Sequence, residues 1–140
     1  MPKAPLRRKA GQIKARKKTT SQLKKQLDKV FSLYVRTRDR GMCITCGRVA
    51  EVKEVQAGHY VSRSHLSLRW DEKNVNCQCV GCNVFKHGSL DTYALRLREM
   101  YGDGILRELN AKKHQMKQWT PNELQELITI YEKKLSEMRQ

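Results

Sequence analysis

The sequence predicts an α+β domain: one compact, irregular unit carrying a hairpin, set between helical stretches. Three observations carry this. Apolar residues recur at helical spacing on both sides of residues 42–87. That central stretch has no long helical pattern but holds short β-prone pieces. It also holds all five cysteines and three of the four histidines. At 140 residues and 16.4 kDa the chain is one domain's worth, with room for a tail.

The segments follow in order. Residues 1–19 contain Pro2, Pro5 and Gly11 and little apolar periodicity, and are expected to be a flexible, disordered arm in isolation. Residues 20–140 form a single domain. Leu23, Leu27, Val30, Phe31 and Tyr34 predict a helix from about 21 to 39 (segment 20–40), with Thr20 or Ser21 as N-cap and Gly41 as the stop. Segment 41–88 is the compact core unit. Its β-prone pieces are Val49 to Val55 and His59 to Val61, its loop is 62–73, and a short helix is expected from about 80 to 87. Segment 89–140 is helical. Ser89 can cap a helix closed by Gly102, and Asp103 can cap another through Ile105 and Leu109. Thr120-Pro121-Asn122-Glu123 is a capping box with proline at the first helical position. Leu124, Leu127, Ile128, Tyr131 and Leu135 then continue the stripe.

Charge narrows the partner. The chain holds 29 Lys and Arg against 14 Asp and Glu, a formal charge of +15. Ten of the basic residues lie in 1–27, where there is no acidic one. The rest of the chain carries 19 basic and 14 acidic residues, a balance of only +5. Such polarity fits an electrostatic arm that neutralises phosphates and releases counterions; the alternative is a solubilising tail. No apolar run is long enough for a membrane span, and no apolar leader opens the chain. The expectation is an intracellular, nucleic-acid-binding protein without a membrane partner.

The cysteines form two CxxC pairs, Cys43/Cys46 and Cys79/Cys82, separated by 32 residues. Nothing indicates export, so disulfides are not expected. Two tight turns presenting two thiolates each make a tetrahedral site for structural zinc. Such a site is closed and holds the fold without doing chemistry. It also explains how a segment poor in large apolar residues can fold. Cys77 is left over as a free, buried thiol.

Catalysis, if present, must use other residues. Between the pairs lie His59 and Asn74, and Asn83 follows the last cysteine. An imidazole titrates near neutral pH and can activate water. An amide oxygen can be a hard ligand for a divalent ion. A second amide can pin a loop. Each residue alone is weak; their order, CxxC, His, Asn, CxxC-Asn, carries the weight.

That order resembles HNH nucleases of the zinc-stabilised ββα-metal type. More closely, GHYVSRSHLSLRWDEKNVNCQCVGCN with YGDGILREL downstream is similar to the NinG (Rap) family of phage recombination proteins. The resemblance covers most of 35–110. It implies an HNH-like ββα-metal core flanked by helices. It also implies a structure-specific endonuclease acting on branched DNA such as Holliday junctions and D-loops, by metal-dependent phosphodiester hydrolysis. By the motif, His59 is the general base, Asn74 positions the loop, and Asn83 ligates a catalytic Mg2+ or Mn2+. A cytoplasmic setting in a bacterial host follows, for a phage- or prophage-encoded protein.

One position departs from the pattern. Many HNH enzymes carry Asp or His before the catalytic histidine, where this chain has Gly58. Asp71 or another carboxylate could approach the metal instead. His59 could itself be a ligand, with His65 or water as base. Or His87, one turn after Asn83, could complete the site. Arg63, Arg69 and Lys86 are expected to touch DNA phosphates, or to serve as surface charge or ion pairs with Asp71 or Glu72. Arg7, Arg8, Lys9, Arg16, Lys17 and Lys18 of the arm are expected on the backbone. Trp70 is either a base-stacking residue or a core anchor. A homodimer is expected, since a junction is cut on two strands; the stripes 21–35 and 121–138 are candidate dimer surfaces or internal core. The rivals are a non-catalytic zinc module that binds nucleic acid and a general HNH nuclease without branch preference.

Overall fold

The computed structural model describes residues 17–139; the arm residues Arg7, Arg8, Lys9 and Arg16 lie outside them. Helix α1 runs Thr20–Arg38. Its N-cap is Thr19, one residue before the expected cap. The Thr19 hydroxyl accepts from the Gln22 N–H, and the Gln22 side chain accepts from the Thr19 N–H. The reciprocal partner Gln22 selects this register. Helix α4, Pro121–Met138, starts with the expected box of Thr120 and Glu123.

The apolar stripes of α1 and α4 face each other. Leu23, Leu27, Phe31, Tyr34 and Val35 pack with Leu124, Ile128, Tyr131 and Leu135. The Phe31 and Tyr131 rings meet edge-on at 4.8 Å. Both stripes are therefore spent inside the chain and are not dimer surfaces. Trp70 and Val75 from the central unit complete this core. Trp70 is a core anchor: it is buried, lies edge-on to Trp119 at 5.9 Å and donates its indole N–H to Asp28.

A second core forms where α2 (Leu90–Tyr101) meets α3 (Ile105–Lys113). Tyr93, Leu97, Ile105 and Leu109 enclose Leu68. Neither expected cap is made. Ser89 is left-handed and makes no capping bond, and Asp103 pairs with Arg98 instead.

The central hairpin pairs β1 (Gln56–His59) antiparallel with β2 (Val75–Gln78). The β-prone stretch Val49 to Val55 is not a strand. Val49 makes a single bridge to Met42, and Val52–Glu54 is a 3-10 turn. The actual strands are polar. Asn76 and Gln78 are buried on β2 and carry their own amide partners, a pattern that apolar alternation does not reveal. The helix expected at 80–87 is a single turn of π-helix, Gly81–Phe85. It ends because His87, Gly88 and Ser89 are all left-handed, with φ of 50°, 88° and 48°.

Two polar bolts fix the hairpin. The buried Tyr93 hydroxyl donates to Gly58 O at 2.8 Å and accepts from Asn76 Nδ2 at 3.1 Å. Arg38 donates to the carbonyls of Glu72 and Val75, and Asp39 accepts from the Cys77 N–H at 2.8 Å. The fold is mixed α+β, and none of its described helices is long and apolar enough to cross a membrane.

Candidate functional site

The cysteine cluster is built by two turns. In the first, Cys43 N–H donates to Arg48 O and Gly47 N–H to Cys43 O. Gly47 sits at φ 76° with open space where a side chain would be, so backbone conformation alone favours glycine there. Ile44 N–H donates to Cys77 O at 2.8 Å, which docks this turn on β2. In the second, Asn83 N–H donates to Cys79 O. The sulfurs of Cys43, Cys46, Cys79 and Cys82 all lie within 4.8 Å of one another, and Cys46 and Cys79 are 3.7 Å apart. Tetrahedral zinc with Zn–S near 2.3 Å needs sulfur spacings of about 3.8 Å. The four cysteines can hold a structural metal such as zinc.

Their acidities fit a cation. Burial opposes ionisation of Cys43, but bonds from the Thr45 hydroxyl and from backbone N–H groups outweigh it and lower the thiol to about 6. Cys46 accepts a backbone bond from Arg48 that favours its thiolate. Burial and the crowding of Cys43, Cys79 and Cys82 win, raising it to about 12. One thiolate forms readily and the next is resisted, unless positive charge sits between them. Cys77 stands apart. It is fully buried on β2, and burial pushes its thiol up to about 12.

His59 ends β1. Its Nε2 is 2.9 Å from the carbonyl of Arg69. A carbonyl only accepts, so Nε2 carries the proton and Nδ1 keeps its lone pair. Burial lowers the imidazole pKa, Arg63 and Arg69 add to that, and the Arg69 carbonyl and Asp28 oppose it. The ring lies in a hollow of about 170 Å³ with Asp28, Phe31, Ser32, Ala57, Arg63 and Arg69. A neutral imidazole with one bare nitrogen, beside guanidinium groups, can accept a proton near a bound anion.

Asn74 reaches this site through the loop. Its Oδ1 accepts from Val61 N–H at 2.8 Å, and its Nδ2 donates to Val61 O and Leu68 O. The side chain is wholly buried, so it pins the loop that carries the Arg69 carbonyl and touches no substrate. Asn83 is elsewhere. Its Nδ2 donates to Gln56 Oε1 at 2.7 Å. Alternation along β1 places Ala57 and His59 on one face and Gln56 and Gly58 on the other. Asn83 does not line the hollow that holds His59.

Gly58 has a steric reason to lack a side chain. A Cβ there would lie 1.9 Å from Gln78 Oε1. The buried Gln78 amide fills the space, held by Gly88 O at 2.8 Å and Thr45. Among the described residues, Gln78 Oε1 is the one buried side-chain oxygen or nitrogen without a partner. Of the substitutes for the missing ligand, Asp71, His65 and His87 do not reach the His59 hollow; the carboxylate that does is Asp28, which is paired with Arg63 and Arg69. Asp71 accepts from the backbone of Lys73 and Asn74 and pairs with Lys112. His65 lines a different cavity, with Leu106 and Leu109. His87 is exposed and lies beyond the end of the helical turn, not one turn along it.

Comparison with known proteins fixes the lineage. The family model described as bacteriophage lambda NinG protein matches residues 3–140. The chain belongs to the NinG family. It is 34% identical to protein ninG of Salmonella phage P22 over 117 residues, covering 82% of this chain and 57% of that protein. Against protein ninG of Escherichia phage lambda the figures are 32%, 82% and 56%, and against that of Escherichia phage 933W 33%, 82% and 57%. This NinG-family chain therefore spans a little over half the length of the curated relatives it matches. No solved structure matches it.

Within this NinG-family chain the expected DNA contacts divide. Arg63 and Arg69 do not pair with Asp71 or Glu72. Both pair with Asp28 of α1, whose carboxylate also accepts the Trp70 indole N–H. Arg69 is 15% exposed and held by this network, whereas Arg63 is 61% exposed and keeps a free face. Lys86 is exposed, as are Lys17 and Lys18. Two features escaped sequence reasoning. Asp28 is the first acidic residue of the chain, and its place on the buried side of α1 beside Leu27 and Phe31 was the available signal. Lys25 and Lys29 lie with Lys18, Gln22 and Gln26 along one face of α1. They follow the helical repeat towards Ser32 and the His59 hollow, a pattern visible in the spacing.

Proposed function

We propose that this NinG-family protein is an HNH-type endonuclease that hydrolyses phosphodiesters in branched DNA, such as Holliday junctions and D-loops, in the cytoplasm of an infected bacterium. The observation that carries the reading is His59: a half-buried imidazole, its pKa lowered by desolvation, whose Nε2 is fixed on the Arg69 carbonyl and whose Nδ1 is bare. Water attacks phosphorus, its proton passes to Nδ1, and the bond from phosphorus to the deoxyribose oxygen breaks. The leaving oxygen takes a proton from solvent. Arg63 binds the scissile phosphate with its free face, and Arg69 holds Asp28 and the loop. A divalent ion such as Mg2+ or Mn2+, when bound, neutralises charge on the phosphate. Asn83, the ligand the motif implies, has its nitrogen committed to Gln56 on the face of β1 opposite His59, so it does not fit as the holder of an ion at the phosphate beside His59.

The lysine face of α1 tracks the backbone up to the site, which gives affinity without sequence preference. A second chain is expected to act on the opposite strand, through a surface other than the α1 and α4 stripes.

The test is nicking of a synthetic four-way junction with Mg2+ or Mn2+. Wild type is expected to cut, and His59→Ala to bind and not cut. Wild type that binds the junction and leaves it intact would overturn the enzyme reading. Equal cleavage of linear duplex would remove the branch preference and leave a general nuclease. One observation favours the non-catalytic alternative, a zinc-containing nucleic-acid-binding module: Asn83 bonds Gln56 on the face of β1 opposite His59.

A further inference from the structure

The aromatic residues of this chain are few and nearly all engaged. Phe31, Tyr34, Trp70, Tyr93 and Tyr131 are buried in the two cores, and Trp119 lies edge-on to Trp70. Phe85 is the exception. It is 78% exposed, where the next most exposed aromatic, Tyr101, is 39% exposed and lies under Lys73. Beside it Val84 is also exposed. Single exposed apolar side chains are common, but this one is an aromatic ring beside a second exposed apolar residue and a lysine.

Its mounting is rigid. The π-turn that carries Phe85 begins at the cysteine cluster, through Cys82, and is tied to β1 by the Asn83 to Gln56 bond. Behind it Lys86 N–H donates to Gly81 O and Gly88 N–H to Cys82 O. His87, Gly88 and Ser89 are three consecutive left-handed residues, two of them not glycine. Backbone of that kind persists where the surroundings over-determine it, and it clusters at functional sites. The next residue, Lys86, is exposed as well.

We infer that Phe85 is an apolar wedge that stacks on an unpaired or unstacked base at a DNA branch point, with Lys86 on the adjoining phosphate. Duplex bases are already stacked on both faces, and only a branch, gap or end offers an open one. A ring held out beside a lysine gains from the open face and little from intact duplex. Phe85 is thus the residue that makes binding depend on the shape of the DNA. This rests on the reading that the protein binds branched DNA and names the contact that recognises it.

The experiment uses the full chain with EDTA weak enough to spare the cysteine site and no added divalent ion. Anisotropy reports affinity for a four-way junction and for a linear duplex of the same length. 2-Aminopurine at the branch reports stacking. Phe85→Ala is expected to lower the junction-to-duplex affinity ratio roughly tenfold, with duplex affinity changed less than twofold and the branch fluorescence left unquenched. Phe85→Trp is expected to restore both. An exposed side chain can be cut back without loss of fold, and circular dichroism of both variants checks that. If wild type prefers the junction and Phe85→Ala keeps the same ratio, the wedge is wrong while the branched-DNA reading stands. If wild type shows no junction preference, that reading fails too. If Phe85→Ala changes only self-association, the ring belongs to a contact between chains and the inference is overturned.

Discussion

The α1–α4 pair and the central unit are held by opposite means. The helix pair is joined by apolar stripes with aromatic edges meeting across it. The central unit, 42–88, has two four-residue strands, two short helical turns and, on β2, two buried polar side chains, Asn76 and Gln78, among four buried residues. It is pinned by a sulfur cluster and by buried amides, each bonded to backbone. The first kind of order is additive and tolerant of lost methylenes. The second depends on every partner being present, because a buried polar group left alone costs more than its bond is worth. The candidate site sits in the second kind, where backbone carbonyls can be aimed at a single imidazole.

The largest break in this comparison should come from the metal. Chelation, or Cys79→Ser, is expected to abolish hydrogen-exchange protection across 43–85 while α1 and α4 keep most of theirs. Metal analysis of the intact protein should return one zinc per chain. Structural zinc is worth on the order of 10 kcal/mol in small domains, more than so short a hairpin can replace. Uniform loss of protection along the chain would show that the two regions are one cooperative unit. Next comes the helix pair. Ile128→Ala removes a fully buried side chain and should cost about 2–5 kcal/mol in urea unfolding, with the cysteine cluster still loaded. A smaller effect sharpens the account of the loop. Asn74→Ala leaves Val61 N–H, Val61 O and Leu68 O without their partner and should cost about 1–3 kcal/mol. It should also raise exchange at residues 61–74 more than elsewhere.

The helix pair was legible for the same reason that it is tolerant. A stripe at i, i+3 and i+4 is written in the sequence, and the Thr120 box reads directly. The cysteine pairs were legible because thiolate chemistry constrains spacing. The hairpin was not. Gln56, Asn76 and Gln78 look like surface residues, and only the buried amide bonds and the Tyr93 hydroxyl make them strand. Gly58 looked like a missing ligand, and its reason is the Gln78 amide across the ladder. Ion pairs were equally hidden: Arg63 and Arg69 find Asp28, 35 and 41 residues away, a partner that no local pattern announces.

The smallest expected effect is a pH dependence. Burial holds the His59 imidazole below its ordinary 6.5. Below that pH the unfolded chain binds a proton that the folded chain resists. Stability is therefore full above the unfolded value and is lost as pH falls through the folded one. Thermal unfolding from pH 7.5 to 5.5 should show a steeper loss for wild type than for His59→Gln. The same proton sets the acid limb of any cleavage profile, whose midpoint should lie below 6.5.

The tautomer of His59 tests the account at its centre. Nitrogen-15 NMR of the histidine rings at neutral pH, with zinc bound, should show a neutral His59 protonated at Nε2 and bare at Nδ1. A proton on Nδ1, or a charged ring, would contradict the account, because the Arg69 carbonyl would then not be holding the imidazole ready to take a proton from water.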